Sequence, residues 1–496
     1  MKKNIVTLAA ANLAIGLVEF VFNMYLSRVL GAEGLGTLSL VSPINCLFLS
    51  FMTEGLVVTI SKISARNQHF GDTGAMYRTV QVSTVFSFLW SVFLCFVVVL
   101  SADMIASGFL GDASLAQTIV ATCPLMLLMS VSNITKGHFL GVSKITIPAL
   151  INITEKLLRF PILYLLIRFL LNVTGLSTVT LVYLCYAIGE LHSVLWLTVY
   201  YRLQKRESSK PTAKGWPAAG LMQGTAPSAG DATRAGAARF GTGRGCSSRA
   251  GVFGTASARG VAPGNPGISD ILRPLIAGAA PICMTQCCLE FFNALSSVIV
   301  KARLCSIGLD SSEALELLGK YKGMVFPLMN YPMILVGAIC AIVVPKIATF
   351  IAAGKFGPAR RLQRRALGWA LVIGLATSVL YMFTADGMGE LFYKRDDLGA
   401  LIRLAGLCAP VLYLSATSTS LLISIGHESE SFRNSLLQQL LLLIGLTVFT
   451  GIPQLNIYGF LLAVACSVIV LLIQNLISIR RFFSGFTCDE VRHEMR

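Results

Sequence analysis

The sequence predicts an all-α polytopic membrane protein of about 12 transmembrane helices in two parallel six-helix repeats. Three observations predict it. Hydrophobic residues make up 55% of the 496-residue chain and charged residues 13%, with a mean hydropathy of +0.72; a soluble domain carries roughly 25% charge. Apolar runs of about 20 residues, the length that crosses the hydrocarbon core as a helix, recur along nearly the whole chain. One signature also appears twice, as Ser61-Lys62-Ile63 reaching Phe70-Gly71 and as Pro345-Lys346-Ile347 reaching Phe356-Gly357. Gly141, after the fourth run, and Gly426, after the tenth, recur at nearly the same spacing. Duplicated helical halves are how many transporters are built, with the substrate path between them.

The runs fall at 5–27, 35–61, 80–101, 115–140, 147–171, 176–201, 272–300, 320–345, 366–386, 402–424, 433–451 and 456–480. Lys2 and Lys3 precede the first run as in a signal peptide. That run continues through Val18 and past Glu19 to Leu26 without a small-x-small site, so it is expected to stay as the first helix. The expected organisation is a lobe over 1–206, a linker over 207–268, a second lobe over 269–482 and a tail over 483–496.

Lysine and arginine in the loops set the orientation. With the N-terminus inside, cytoplasmic loops hold Lys62, Arg66, Arg78, Lys144, Lys346, Lys355, Arg360, Arg361, Arg364, Arg365, Arg480 and Arg481. The opposite loops are poorer: 102–114 carries Asp103 and Asp112 with no cation. Lys301, Arg303, Lys320, Lys322, Lys394, Arg395 and Arg403 run against the trend. The balance still puts both termini on the cytoplasmic side, and both signatures in cytoplasmic loops, so the repeats are parallel.

The net charge of +16 therefore needs no nucleic-acid partner, because basic loops facing an anionic leaflet account for much of it. The 207–268 stretch, rich in Gly, Ala, Ser, Thr, Pro and Arg, lacks helical periodicity and reads as a disordered, solvated tether. Cys46, Cys95, Cys123, Cys185, Cys340, Cys408 and Cys466 sit singly in apolar runs, where cysteine packs as a small hydrophobe. Cys283, Cys287 and Cys288 lack the partner pair or histidines of a zinc site. No metal site is expected. Phosphate-loop, nucleotide-binding and hydrolase motifs are missing, which points away from an enzyme and from a bound cofactor.

Charges inside hydrocarbon are costly and so become functional candidates. Val18-Glu19-Phe20 with Asn23 echoes Leu289-Glu290-Phe291 with Asn293 at the start of each half. Glu19 and Glu290 are thus expected to be pseudo-symmetric, lining the cleft or else fixing helix packing. Gln286, Glu290 and Asn293 share a helix face. Glu155 and Arg159, four apart beside Lys156, read equally as an internal ion pair or as substrate contacts. Glu54 lies near the inner end of the second helix, as a gate or at the interface. Glu190 and Lys136 are weaker candidates. Lys322 precedes Phe326-Pro327 and Asn330 in a helix interrupted again at Pro332, and broken helices beside polar residues mark the working parts of transporters.

The run Ser27-Arg28-Val29-Leu30-Gly31-Ala32-Glu33-Gly34-Leu35-Gly36 resembles the first-loop signature of polysaccharide-export flippases, which adds Arg28 to the candidates. Glu54-Gly55-Leu56 through Ile60-Ser61-Lys62, Lys136-Gly137 through Gly141, and Gly323-Met324-Val325-Phe326-Pro327 through Val344-Pro345-Lys346 are similar to sporulation-type members. These belong to the multidrug/oligosaccharidyl-lipid/polysaccharide (MOP) exporter superfamily, which also holds the lipid II flippases. The resemblance covers both halves and omits the linker.

It implies two lobes forming a V around a cavity that opens alternately to each side. It also implies a polyprenyl-pyrophosphate-linked saccharide or peptidoglycan precursor as cargo, with membrane lipids around it. By position Lys322 matches a cavity arginine of the lipid II flippases and Glu54 their second-helix glutamate. Asn23 and Ser50 stand where cations are expected, which argues against lipid II itself, and relatives often have fourteen helices. Two other functions stay open: a multidrug antiporter coupled to Na+ or H+ through Glu19 or Glu290, and a non-transporting scaffold that recruits envelope enzymes through the linker.

Overall fold

The computed structural model describes residues 2–144, 146–208 and 267–494; nearly all of the expected 207–268 linker lies outside them. Among the described residues twelve helices follow one another. The first two, α1 (residues 2–30) and α2 (residues 32–69), run on through Gly31, whose φ of 68° and ψ of −176° break the helical path. A residue with a Cβ adopts that conformation only with strain. Then come α3 (Thr73–Phe109), α4 (Leu115–Gly141), α5 (Thr146–Thr174), α6 (Thr178–Ser208), α7 (Ile268–Ser306), α8 (Ser311–Ala352), α9 (Phe356–Tyr393), α10 (Gly399–Ser424), α11 (Glu428–Phe449) and α12 (Tyr458–Glu494). The stretch expected as a tail from 483 continues α12 as helix.

Among the described residues, ten helical stretches are long and apolar enough to cross a membrane. The first of them, Leu13–His69, is the α1–α2 pair; its 57 residues are far longer than one crossing of about 30 Å. α5 falls outside the ten because Glu155, Lys156, Arg159 and Arg168 interrupt it. All twelve expected runs are thus helices. The lipid-facing surface is plain on α3, where Phe96 and Leu100 are 61% and 69% exposed in a stretch with few charges.

Within the first half α5 packs on α6, and α4 packs on α2, α3 and α6. Within the second, α10 packs on α9 and α12, α11 on α12, and α8 on α9. The halves meet where α2 packs on α7 and α8, and where Phe20 of α1 meets Tyr331 of α8 with ring centroids 4.1 Å apart. One buried core runs through both halves, from Leu26, Leu40 and Val98 to Leu318, Met324 and Leu461.

The backbone sharpens the internal repeat. Gly71, Gly111 and Ser143, all with positive φ, close α2, α3 and α4; Gly354, Lys394 and Gly426 close α8, α9 and α10 in the same way, at one constant offset. The partner of Gly71 is therefore Gly354 rather than Gly357. The partner of Gly426 is Ser143; Gly141 lies inside α4, packed on the Ser61 carbonyl of α2.

The twelve helices also sort the loops onto two faces of the bundle. The face carrying the 69–73, 141–146, 352–356 and 424–428 connections is the basic one. On the opposite face the cations that break the loop-charge trend are mostly engaged. Lys320 and Arg395 bridge Glu316 and Asp397, Arg403 pairs with Asp386, Lys301 donates to the Leu110 carbonyl at 3.1 Å and Arg303 to that of Thr447 at 3.0 Å.

Candidate functional site

Charged and polar side chains gather in two groups, one within the first half and one where the halves meet. The first is held by α1, α4, α5 and α6. Glu155, 3% exposed, accepts from Arg159 one turn on at 2.5 Å and from Ser193 of α6 at 2.8 Å. The Arg159 guanidinium lies 4.5 Å from the Tyr186 ring centroid. Lys136 of α4 pairs with buried Glu190 of α6 at 3.1 Å. Lys156, on the other side of α5, pairs with Glu19 of α1. Each of these carboxylates meets a cation, which is what makes charge tolerable in a low-dielectric interior.

The second group lies on α7 and α8, facing α2. Gln286, Glu290, Asn293 and Ser297 follow the helical repeat along one stripe of α7. The Asn293 amide donates to Glu290 at 3.3 Å. Lys322, in a widened, π-helical turn of α8 over Gly319–Val325, donates to Ser297 at 2.6 Å and to Asn293 at 3.5 Å. Its ammonium also lies 5.9 Å from the Phe460 ring centroid. Glu54 of α2 sits in another π-helical turn, Ser50–Glu54, within electrostatic range of Glu290. Widened turns of this kind are common at functional positions, and here each one carries a charge to the junction.

Glu19 and Glu290 do not share a partner. Glu19 stands between Lys156 and Tyr331, with half of its side chain exposed, whereas Glu290 stands among Asn293, Lys322 and Glu54. Asn23, one turn after Glu19, has its Oδ1 buried without a partner. Arg28 is apart from both groups: it donates to the Leu391 and Phe392 carbonyls at 3.3 and 3.4 Å, tying α1 to the end of α9. Asn330 is also apart, lining a cavity of about 450 Å³ with Phe326, Ser415 and Thr419. Among the described residues no three His, Cys, Asp or Glu side chains come close enough to hold a metal ion.

Three partners carry no charge and escaped notice in the sequence: Ser193, Tyr186 and Ser297. Ser297 had a findable signal, since it extends the Gln286–Glu290–Asn293 stripe by one further turn. Ser193 and Tyr186 sit on a different helix from the charges they serve, and nothing local marks them.

Residues 1–216 match the family described as "Polysaccharide biosynthesis protein". Stage V sporulation protein B of Bacillus subtilis (strain 168) is 24% identical over 208 residues, a match that takes in 41% of this chain and 39% of that protein. Sporulation protein YkvU of the same organism is 19% identical over 475 residues, 95% of this chain and 92% of that one. Over nearly its whole length the chain shares the fold of the MOP exporter superfamily. Its fold is that of the superfamily's solved members, including an inward-facing multidrug resistance MATE family transporter (TM-score 0.66, 13% identity, 97% and 99% of the two chains). A MOP superfamily transporter from Pyrococcus furiosus Vc1 (DSM3638) is similarly close (TM-score 0.61, 14% identity, 98% and 96%). This fold and the ten apolar helical stretches among the described residues are those of a multi-pass membrane protein.

Proposed function

We propose that the protein is an alternating-access flippase for a polyprenyl-pyrophosphate-linked saccharide or peptidoglycan precursor, serving envelope or spore-cortex assembly at a bacterial plasma membrane. In this reading both termini are cytoplasmic, and the lobes 1–206 and 269–482 rock against each other on the α1–α2 and α7–α8 helices. The observation that carries it is the state of Lys322. Lys136, Lys156 and Arg159 each hold a carboxylate, while Lys322 is held by a hydroxyl and an amide, with only Glu290 in wider range. Its charge is therefore available to an anionic headgroup at the junction of the halves. The polysaccharide-biosynthesis match over the first half and the two sporulation relatives support the same cargo class. An anionic headgroup moving outward gains about 2.3 kcal/mol per charge per 100 mV of inside-negative potential.

The test is reconstitution in liposomes with a labelled polyprenyl-pyrophosphate saccharide. Losing a charge-assisted hydrogen bond worth about 1.5–3 kcal/mol means that Lys322→Ala slows translocation roughly tenfold to a hundredfold, Lys322→Glu more, and Lys322→Arg least. Translocation indifferent to all three, or none by the unaltered protein, would overturn the reading.

A second reading has its own observation. Glu54 and Glu290 form a carboxylate pair at the junction, neither locked in an ion pair, and the solved relatives include multidrug resistance transporters. A cation-coupled drug antiporter would use such carboxylates for the coupling ion. In that case Lys322→Glu leaves or improves export of a cationic drug, while Glu290→Gln abolishes drug-driven proton or sodium flux.

A further inference from the structure

On the basic face, away from the junction, α9 and α12 flank a cavity of about 400 Å³ lined by Arg360, Gln363, Arg364 and Arg480, with Leu476, Ile479 and Phe483 as its apolar wall. None of the three arginines makes an ion pair among the described residues; of the two acidic groups in the first turn of α11, Glu428 and Glu430, the second pairs with His427 at 3.4 Å. Gln363 is 8% exposed, and its Oε1 is buried with no hydrogen-bond partner. The orphaned amide acceptor carries a cost that a ligand would remove, and the three guanidinium groups, with Arg364 and Arg480 exposed to solvent, set positive charge around it. The ligand must bring an anion for the arginines and a hydrogen-bond donor for Gln363, a neutral hydroxyl rather than an ammonium that three guanidinium groups would repel. The apolar side of the cavity continues into Ile473, Leu476 and Ile477, which are exposed on the lipid-facing surface of α12, so the same ligand carries apolar chains.

We propose that this cavity is a site for an anionic glycerophospholipid with a hydroxylated headgroup, of the phosphatidylglycerol type. The phosphodiester takes the Arg360, Arg364 and Arg480 donors, a headgroup hydroxyl donates to Gln363 Oε1, and the acyl chains lie along α12. Basic pockets between helices on the side facing anionic lipid suit such headgroups, and guanidinium forks suit phosphate oxygens better than lysine does. The site is independent of the cargo path: it is formed by the second half alone, and none of the candidate junction residues lines it.

The experiment is native mass spectrometry of the full chain in detergent, titrated separately with phosphatidylglycerol, phosphatidic acid and phosphatidylcholine. Glycerol 3-phosphate serves as the soluble competitor. The site predicts preferential retention of phosphatidylglycerol over phosphatidylcholine. Each arginine-to-alanine change among the three lowers that retention about fivefold, and a double change lowers it more than tenfold. The Arg361→Ala/Arg481→Ala protein, which removes exposed cations of the same helices outside the cavity, keeps it. Gln363→Leu, an apolar replacement of similar size, narrows the preference for phosphatidylglycerol over phosphatidic acid and leaves phosphatidic acid retention unchanged, which gives a readout even if an arginine variant fails to fold. Equal losses in the Arg361/Arg481 control would reduce the effect to general surface attraction and overturn the site. So would displacement of the lipid by millimolar glycerol 3-phosphate, since the pocket would then belong to a soluble anion.

Discussion

Glu155 and Lys322 are charged groups at the centres of the two polar clusters, but their surroundings assign them different work. Glu155 is saturated by Arg159 and Ser193, so little of its charge is left to meet a substrate. Replacing it with glutamine leaves the Arg159 cation leaning only on Glu190, which Lys136 already holds. Breaking a buried pair from one side costs about 3–5 kcal/mol, whereas removing both charges is often neutral. Glu155→Gln is therefore expected to lower the thermal unfolding midpoint of the detergent-solubilised protein strongly, and Glu155→Gln/Arg159→Met to recover most of it. A double variant as unstable as the single one would show that packing, not charge, sets the cost. At this scale the sequence was informative about charges, because any ionised group in an apolar run stands out. It said little about Ser193 and Tyr186, whose neutral side chains look like ordinary membrane-helix residues until the fold brings them to Arg159.

Between elements, the most elaborate polar joint lies on the face opposite the basic one, where the start of α8 meets the connection between α9 and α10. Lys320 bonds Glu316 at 3.0 Å and Asp397 at 2.7 Å, and Arg395 bonds the same two carboxylates at 2.6 and 3.0 Å. Partial burial alone would raise the Asp397 carboxyl, but hydrogen bonds and charge from Arg395 and Lys320 outweigh it and hold the group at about 2. A carboxyl depressed on folding stabilises the fold above its unfolded pKa near 3.9, and that contribution fades as pH falls towards about 2. Asp397→Asn should thus lower the melting temperature at pH 7 and make no difference near pH 2. Because 44% of the side chain is exposed, solvent screening limits the effect to about 0.5–1 kcal/mol. A deficit that persists at pH 2 to 2.5 would contradict the ion-pair account.

The helices themselves were legible from hydropathy, down to the twelve runs, because each must bury its own backbone in lipid. Two things were not. The break between 5–27 and 35–61 is expected as a loop, but its narrowing to one backbone conformation at Gly31 is not, and the pairing of helices between halves depends on close approaches that composition does not encode.

Across the whole molecule those close approaches form two seams on α2. At the offset set by the left-handed caps, Gly36 corresponds to Gly319 and Ala32 to Leu315. The contacts are reciprocal: a Cβ on Gly36 would lie 1.9 Å from the Leu315 carbonyl oxygen, and one on Gly319 would lie 1.8 Å from that of Ala32. Such self-complementary exchange is what a two-fold relation between like surfaces produces, and it supports parallel halves crossing on a pseudo-dyad at the face opposite the basic one. Towards the basic face α2 meets α7 instead, with a Cβ on Gly55 only 2.1 Å from the Ala279 carbonyl oxygen.

One helix thus zips to two partners of the other half at opposite ends, which is the geometry of a pair of gates. If the lobes rock as proposed, the seams open in alternation, and forcing one apart favours closure of the other. Gly319→Ala cannot be absorbed by a rotamer change because backbone is in the way, and overpacking of this kind costs about 1–3 kcal/mol. Hydrogen–deuterium exchange should then rise in 32–36 and 315–323 while 55–59 and 275–283 keep or gain protection. Gly55→Ala should give the mirror pattern. Loosening of both seams together in either variant would mean that the glycines serve cohesion of the bundle alone, and that alternation is driven elsewhere.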